Sequence, residues 1–214
     1  MSNITCEYYF WGWSSLKSKK GRKGEESRKR LLKAAANEFS VRGFHDAKVS
    51  EIVKKAGFTQ PSFYLYFQSK EAIFAELITD FHSRVRKLTE SLLLENGLNT
   101  EDVSKRVLLA VETVFQFLDE DKDLTKIGFF LNPEAKQMKK DLAMVLKENL
   151  EAEQRLGYFH SELDMETVAE CLVGMIEHLT DSFLLTGIKD PAILAAEVVN
   201  LLIYGMLPKG NDVR

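Results

Sequence analysis

Between Val49 and Lys70 the chain is punctuated by a single glycine, and that glycine restricts what its neighbours can build. Apolar Val49, Ile52, Val53 and Ala56 recur at helical spacing and give one buried stripe over two turns. Gly57 follows where a helix most often stops in a left-handed residue, a conformation free of clash only without a Cβ. Phe58 can then fold back onto Val53, Thr59 can cap a second helix, and Pro61 falls in its first turn, where a missing amide hydrogen costs little. Two short helices joined by a glycine turn make a helix-turn-helix, the arrangement that sets its second helix in the DNA major groove.

Phe63 and Phe67 lie four apart on that second helix and are expected to anchor it inward. Gln60, Pro61, Ser62, Tyr64 and Tyr66 are left mostly outward. Gln pairs bidentately with adenine, Ser bonds several bases, and Pro offers an apolar contact to a thymine methyl. Tyr64, Tyr66 and Lys70 suit phosphate oxygens, which fix register without reading sequence. An ordinary helical hairpin with a polar, aromatic face would carry the same residues, so the pattern alone leaves both readings open.

Charge is distributed unevenly. Residues 1–70 hold 14 Lys/Arg against 6 Asp/Glu, whereas residues 71–214 hold 15 against 26, and the sum is a modest −3. A basic third on an acidic body fits a molecule that brings one end to phosphate.

Gly43-Phe44, Val49, Ile52-Val53, Ala56-Gly57-Phe58-Thr59, Phe63-Tyr64, Tyr66-Phe67 and Ser69-Lys70-Glu71 together resemble the DNA-binding region of the tetracycline-repressor (TetR) family. The resemblance runs from roughly Arg28 to Ile78. It departs at Ala47-Lys48-Val49, where members of the family place Ser or Thr before the first of the two helices. A capping hydroxyl is then missing or replaced by Asp46 or Ser50, and Lys48 becomes a candidate phosphate contact. The expected DNA-contact set is Lys48, Ser50, Thr59, Gln60, Pro61, Ser62, Tyr64, Tyr66 and Lys70.

The rest of the chain reads as all-α, with about nine helices and no strand pattern. Residues 1–26, with Lys19-Lys20-Gly21-Arg22-Lys23 and an aromatic run at 8–13, read as a flexible basic arm, either a solvated linker or a segment lying along DNA. Residues 27–70 form a three-helix DNA-binding unit from Ser27 onward, with Leu31, Leu32, Ala35, Ala36 and Phe39 inward. Residues 71–214 form a larger helical bundle. A long helix from Ser69 to about Leu94 joins the two, and the last two helices, to Gly187 and to about Leu207, are apolar on more than one side. That excess predicts a homodimer through a four-helix interface including Gly174, Phe183, Leu194, Val198 and Leu201, with a monomer that buries both helices as the rival.

The resemblance further implies a ligand-responsive repressor, with a small apolar effector bound between the fourth, fifth, seventh and eighth helices. Phe81, Phe115, Phe129, Met144, Met175 and His178 are its candidate lining, though each is also ordinary core at that spacing. The sequence carries no phosphate-binding glycine loop, nucleophile elbow or zinc-helix motif, and its four His are not at metal spacing. No catalytic residue, cofactor or metal is expected. Cys6 and Cys171 stand far apart, and no run reaches the roughly 18 apolar residues of a membrane span. The expected setting is cytoplasmic, with double-stranded operator DNA as partner and no membrane. The alternative is a helical interaction module that grips an acidic protein with its basic end.

Overall fold

The computed structural model describes residues 19–206, with side chains from residue 24. The aromatic run and most of the expected arm lie outside the described residues. The order is α1 (Lys19–Asp46), α2 (Val49–Ala56), α3 (Gln60–Phe63), α4 (Lys70–Ser91), α5 (Thr100–Glu120), α6 (Lys122–Thr125), α7 (Ala135–Arg155), α8 (Met165–Leu179) and α9 (Pro191–Tyr204). Wider π-helical turns follow α6 over Lys126–Leu131 and α8 over Thr180–Leu184. No strand occurs among the described residues, so the chain is all-α.

Helix α1 starts eight residues before Ser27 because its first turns are polar and carry no apolar stripe to betray them. It breaks at Gly43 (φ 73°, ψ 166°), which turns Phe44 back onto Phe39 with ring centroids 5.9 Å apart. Phe74 of α4 meets Phe39 edge-on at 5.0 Å and closes the cluster. Phe63 and Phe67 are buried beside Leu31, Ala35, Ile52 and Ile73 in the same core. Each such Phe contributes on the order of 1.5–3 kcal/mol by leaving water.

That core does not stop at the DNA-binding unit. It continues along α4 through Leu77, Phe81 and Val85 to Phe115, Leu118, Ile127 and Phe129, and on to Leu194 and Val198 of α9. In the body α5 packs on α9 and α7 on α8. A smaller cluster of Leu150, Met165 and Ala169 fills the far end. Side-chain caps mark most helix starts: Ser69, Asn99, Asp121, Asp164 and Asp190 each accept an amide N–H three residues on.

Helix α4 ends at Ser91 rather than near Leu94 because the Leu94 amide donates instead to the buried Glu153 carboxylate, at 2.9 Å. Burial raises the Glu153 pKa above its ordinary value; the Leu94 hydrogen bond only partly offsets this. A carboxyl whose folded pKa is raised stabilises the fold fully below its unfolded pKa and loses that contribution as pH rises through the folded value. Glu153→Gln keeps the acceptor and removes the charge. Its melting temperature should exceed the parent's at pH 7.5, and the gap should shrink toward pH 4; thermal melts across that range check the sign.

Candidate nucleic-acid interface

The turn between α2 and α3 is built as its residues demand. Gly57 adopts φ 71°, ψ 38°, the Phe58 amide donates to Val53 O at 2.8 Å, and the Gly57 amide donates to Lys54 O at 3.2 Å. This pair of bonds satisfies carbonyls that the helix end would leave bare. Arg30 of α1 adds a third lock, donating from Nη2 to Ala56 O at 2.6 Å while its guanidinium lies 4.9 Å above the Phe58 ring. A Cβ on Gly57 would crowd that same guanidinium, so the glycine serves packing as well as backbone.

The expected contact residues separate into two groups. Lys48 and Ser50 at the start of α2, and Gln60, Pro61 and Tyr64 in and just after α3, are exposed. Lys48 occupies the cap position of α2 with no side-chain cap bond, so neither Asp46 nor Ser50 replaces the absent hydroxyl. The second group makes contacts within the protein, although Thr59 remains exposed. Thr59 Oγ1 does not cap α3; it shares a 2.9 Å hydrogen bond with Ser62 Oγ, leaving Ser62 half-buried. Tyr66 packs half-buried on the core rather than pointing outward. Lys70 is the most fully engaged of them. Its ammonium donates to Phe44 O, His45 O and Ala47 O at 2.8, 3.2 and 3.1 Å and lies 4.7 Å over the Phe44 ring. It clamps the end of α1 to the start of α4.

The model of the family described as "Bacterial regulatory proteins, tetR family" matches residues 31–77, which span this unit. Over 192 residues, 90% of this chain and 98% of the other, the sequence is 98% identical to the HTH-type transcriptional regulator YdgC of Bacillus subtilis (strain 168). The chain belongs to the TetR family. It is a transcriptional regulator with a helix-turn-helix DNA-binding domain. The fold agrees with that of the fatty acid degradation regulator FadR from Bacillus halodurans (TM-score 0.69, 23% identity, 91% of this chain and 100% of that one). It agrees also with FadR from Bacillus subtilis in complex with stearoyl-CoA (TM-score 0.65, 22% identity, 84% of this chain and 99% of that one).

Elsewhere in this TetR-family chain, Phe81, Phe115 and Phe129 are fully packed, with Phe81 and Phe129 edge-on at 6.3 Å. Met144 is 62% exposed and His178 is exposed, so neither lines the body's interior; both sit on outward positions of their helices. Met175 is half-buried against the core. Of the expected interface set, Leu194 and Val198 face inward, buried in the protomer's own core, while Gly174 and Leu201 are exposed and Phe183 is half-buried. No helix among the described residues is long and apolar enough to cross a membrane, and no group of metal-binding side chains gathers there.

Sequence reasoning missed the charges that hold the unit together. Glu38, 1% exposed, pairs with Lys55 at 2.7 Å and Arg42 at 3.1 Å. Arg28 pairs with Glu76 and covers the Phe67 ring at 4.9 Å. The signal for Glu38 was available: it falls seven residues after Leu31 on an otherwise apolar stripe, where a carboxylate must find a cation.

The Lys70 clamp yields a discriminating test. Lys70→Met should lower stability by about 1 kcal/mol, since partly buried carbonyls lose a charged donor. Operator affinity should fall while the slope of log K against log salt keeps its parental value. A slope shallower by about 0.9 would instead mark Lys70 as a phosphate contact.

Proposed function

We propose that two copies of the chain pair through the outer faces of α8 and α9 and bind a palindromic operator as a repressor, released by a small apolar effector held in the body. The observation that carries this reading is the exposed group of Gln60, Pro61 and Tyr64 with Lys48 and Ser50, set on a basic unit whose companion body is acidic. Gln60 and Ser50 are the base readers, with Ser62 assisting from beneath. Lys48 and Tyr64 contact phosphate. Residues 27–70 act as the reading unit and 71–214 as the effector-binding and pairing body, with the basic arm ahead of both.

Pairing is supported by apolar surface on α9, where Leu201, Leu202, Ile203 and Tyr204 are all exposed after a first half buried on α5. Exposed apolar patches of this kind mark association surfaces. Two copies related by a two-fold axis would place their α3 segments about 34–36 Å apart, one turn of DNA. The fold shared with a regulator solved in complex with stearoyl-CoA supports an effector with a long apolar tail. Such an effector must bind the DNA-incompatible arrangement more tightly than the other, because equal affinity shifts nothing.

Gln60→Ala should cost about 1–3 kcal/mol of operator affinity and relax preference at one base position. Equal loss on every duplex would remove Gln60 from base reading. Sedimentation at micromolar concentration should give twice the chain mass, and Leu201→Glu with Leu202→Glu should return it to one.

A further inference from the structure

The four residues of α6 touch both halves of the molecule through adjacent side chains. Lys122 Nζ donates to Leu184 O at 2.8 Å, at the end of the π-helical turn that follows α8. Its neighbour Asp123 faces the other way, accepting from Asn37 Nδ2 at 2.9 Å and from Ser40 Oγ, both on α1. The chain of bonds goes further. Lys55 Nζ of α2 donates to Asn37 Oδ1 at 2.8 Å and pairs with the buried Glu38 at 2.7 Å.

We infer that Asp123 is a positioning residue for operator binding, the polar hold by which the body sets the angle of the reading unit. The inference rests on the paired-copy reading above, because only a second copy makes that angle matter for spacing.

Directionality is the first argument. An ammonium only donates, so Lys55 fixes Asn37 with its oxygen toward α2 and its NH2 toward Asp123. The amide therefore links α6 to α2 in one sense only, and Lys55 stands two residues before Gly57, where α2 turns into α3. Location is the second. Ser40 is buried, and Asn37 and Asp123 are half-buried, so these charge-assisted bonds sit where they are stronger than on an open surface. Contrast is the third. The apolar contacts between α1 and the segment around Ile127 are non-directional and hold the halves together without choosing an angle. Hydrogen bonds of fixed geometry choose it.

The test uses the full chain and duplexes selected by it from a random-sequence library, then remade with one base pair added or removed between half-sites. Asp123→Asn turns an acceptor into a mixed group opposite two donors. Asn37→Asp sets a carboxylate against a carboxylate. Each single variant should bind its selected duplex about tenfold more weakly and lose discrimination between spacings. Thermal melts of the same samples separate this effect from unfolding. Combining Asn37→Asp with Asp123→Asn reverses donor and acceptor, leaves Lys55 an oxygen to bond, and should restore both affinity and discrimination to within about threefold.

Single variants that discriminate spacing as the parent does would overturn the role of Asp123. So would a combined variant no better than either single one. A parent protein indifferent to spacing would overturn the paired-copy reading instead.

Discussion

A left-handed glycine at residue 57 can turn α2 into α3 only if the carbonyls it exposes find donors. Two are met by the backbone of Gly57 and Phe58, and the last by Arg30, whose guanidinium also covers the Phe58 ring. The turn is thus part of α1's packing and not an independent loop. The same demand recurs at the other end of the unit. The bend at Gly43 bares carbonyls of Phe44, His45 and Ala47, and Lys70 from the start of α4 takes all three. Both glycines that redirect the chain within this unit have a cation at the neighbouring carbonyls. The angle between the short helices is therefore held from outside them, by α1 and α4.

This use of cations changes what the charge asymmetry means. Residues 1–70 carry the positive excess, but Arg28, Arg30, Arg42, Lys55 and Lys70 are engaged with Glu76, Ala56 O, Glu38, Asn37 and the α1 carbonyls. They still add to the field that draws a duplex in, since potential depends on charge and not on contact. Each already has a partner within the fold. Counting basic residues estimates the long-range attraction without separating out the cations that the fold already holds, because a charged group satisfied by the fold stays charged.

Local punctuation made much of this architecture legible. Gly57 and Gly187 take positive φ near the helix ends where the sequence placed them, and Ser69 opens the long helix as expected. The inward phenylalanines were equally plain, since Phe63 and Phe67 at spacing four have one common face. What stayed hidden was anything decided across the chain. A hydroxyl at position 59 caps or does not cap according to where Ser62 points. Leu194 and Val198 look like surplus apolar surface until α5 covers them. Met144 lies on an apolar-looking helix, yet its own side chain faces water between buried Ala143 and Val145. Periodicity reports that a face is apolar without naming the element that will cover it.

The π-helical turns show the same limit from the side of packing. Over Lys126–Leu131 each turn holds an extra residue, which shifts the face presented by everything after it and defeats a count based on 3.6. The widened turn is filled deliberately. Gly128 has no Cβ because Phe81 of α4 occupies the place one would take, and Asn132 donates its side-chain amide to Ile127 O and Gly128 O at 3.1 and 2.6 Å. His82 Nε2 lies 3.3 Å from the same Gly128 oxygen. The linking helix α4 is therefore registered against the body at Phe81–His82, three turns below its cap at Ser69. A displacement of the π-turn would be felt by α4, since a close-packed aromatic against a bare backbone leaves no void to absorb it. The missing methyl group lets α4 approach the π-turn closely enough for this contact, while hydrogen bonds between α6 and α1 set the angle of the reading unit.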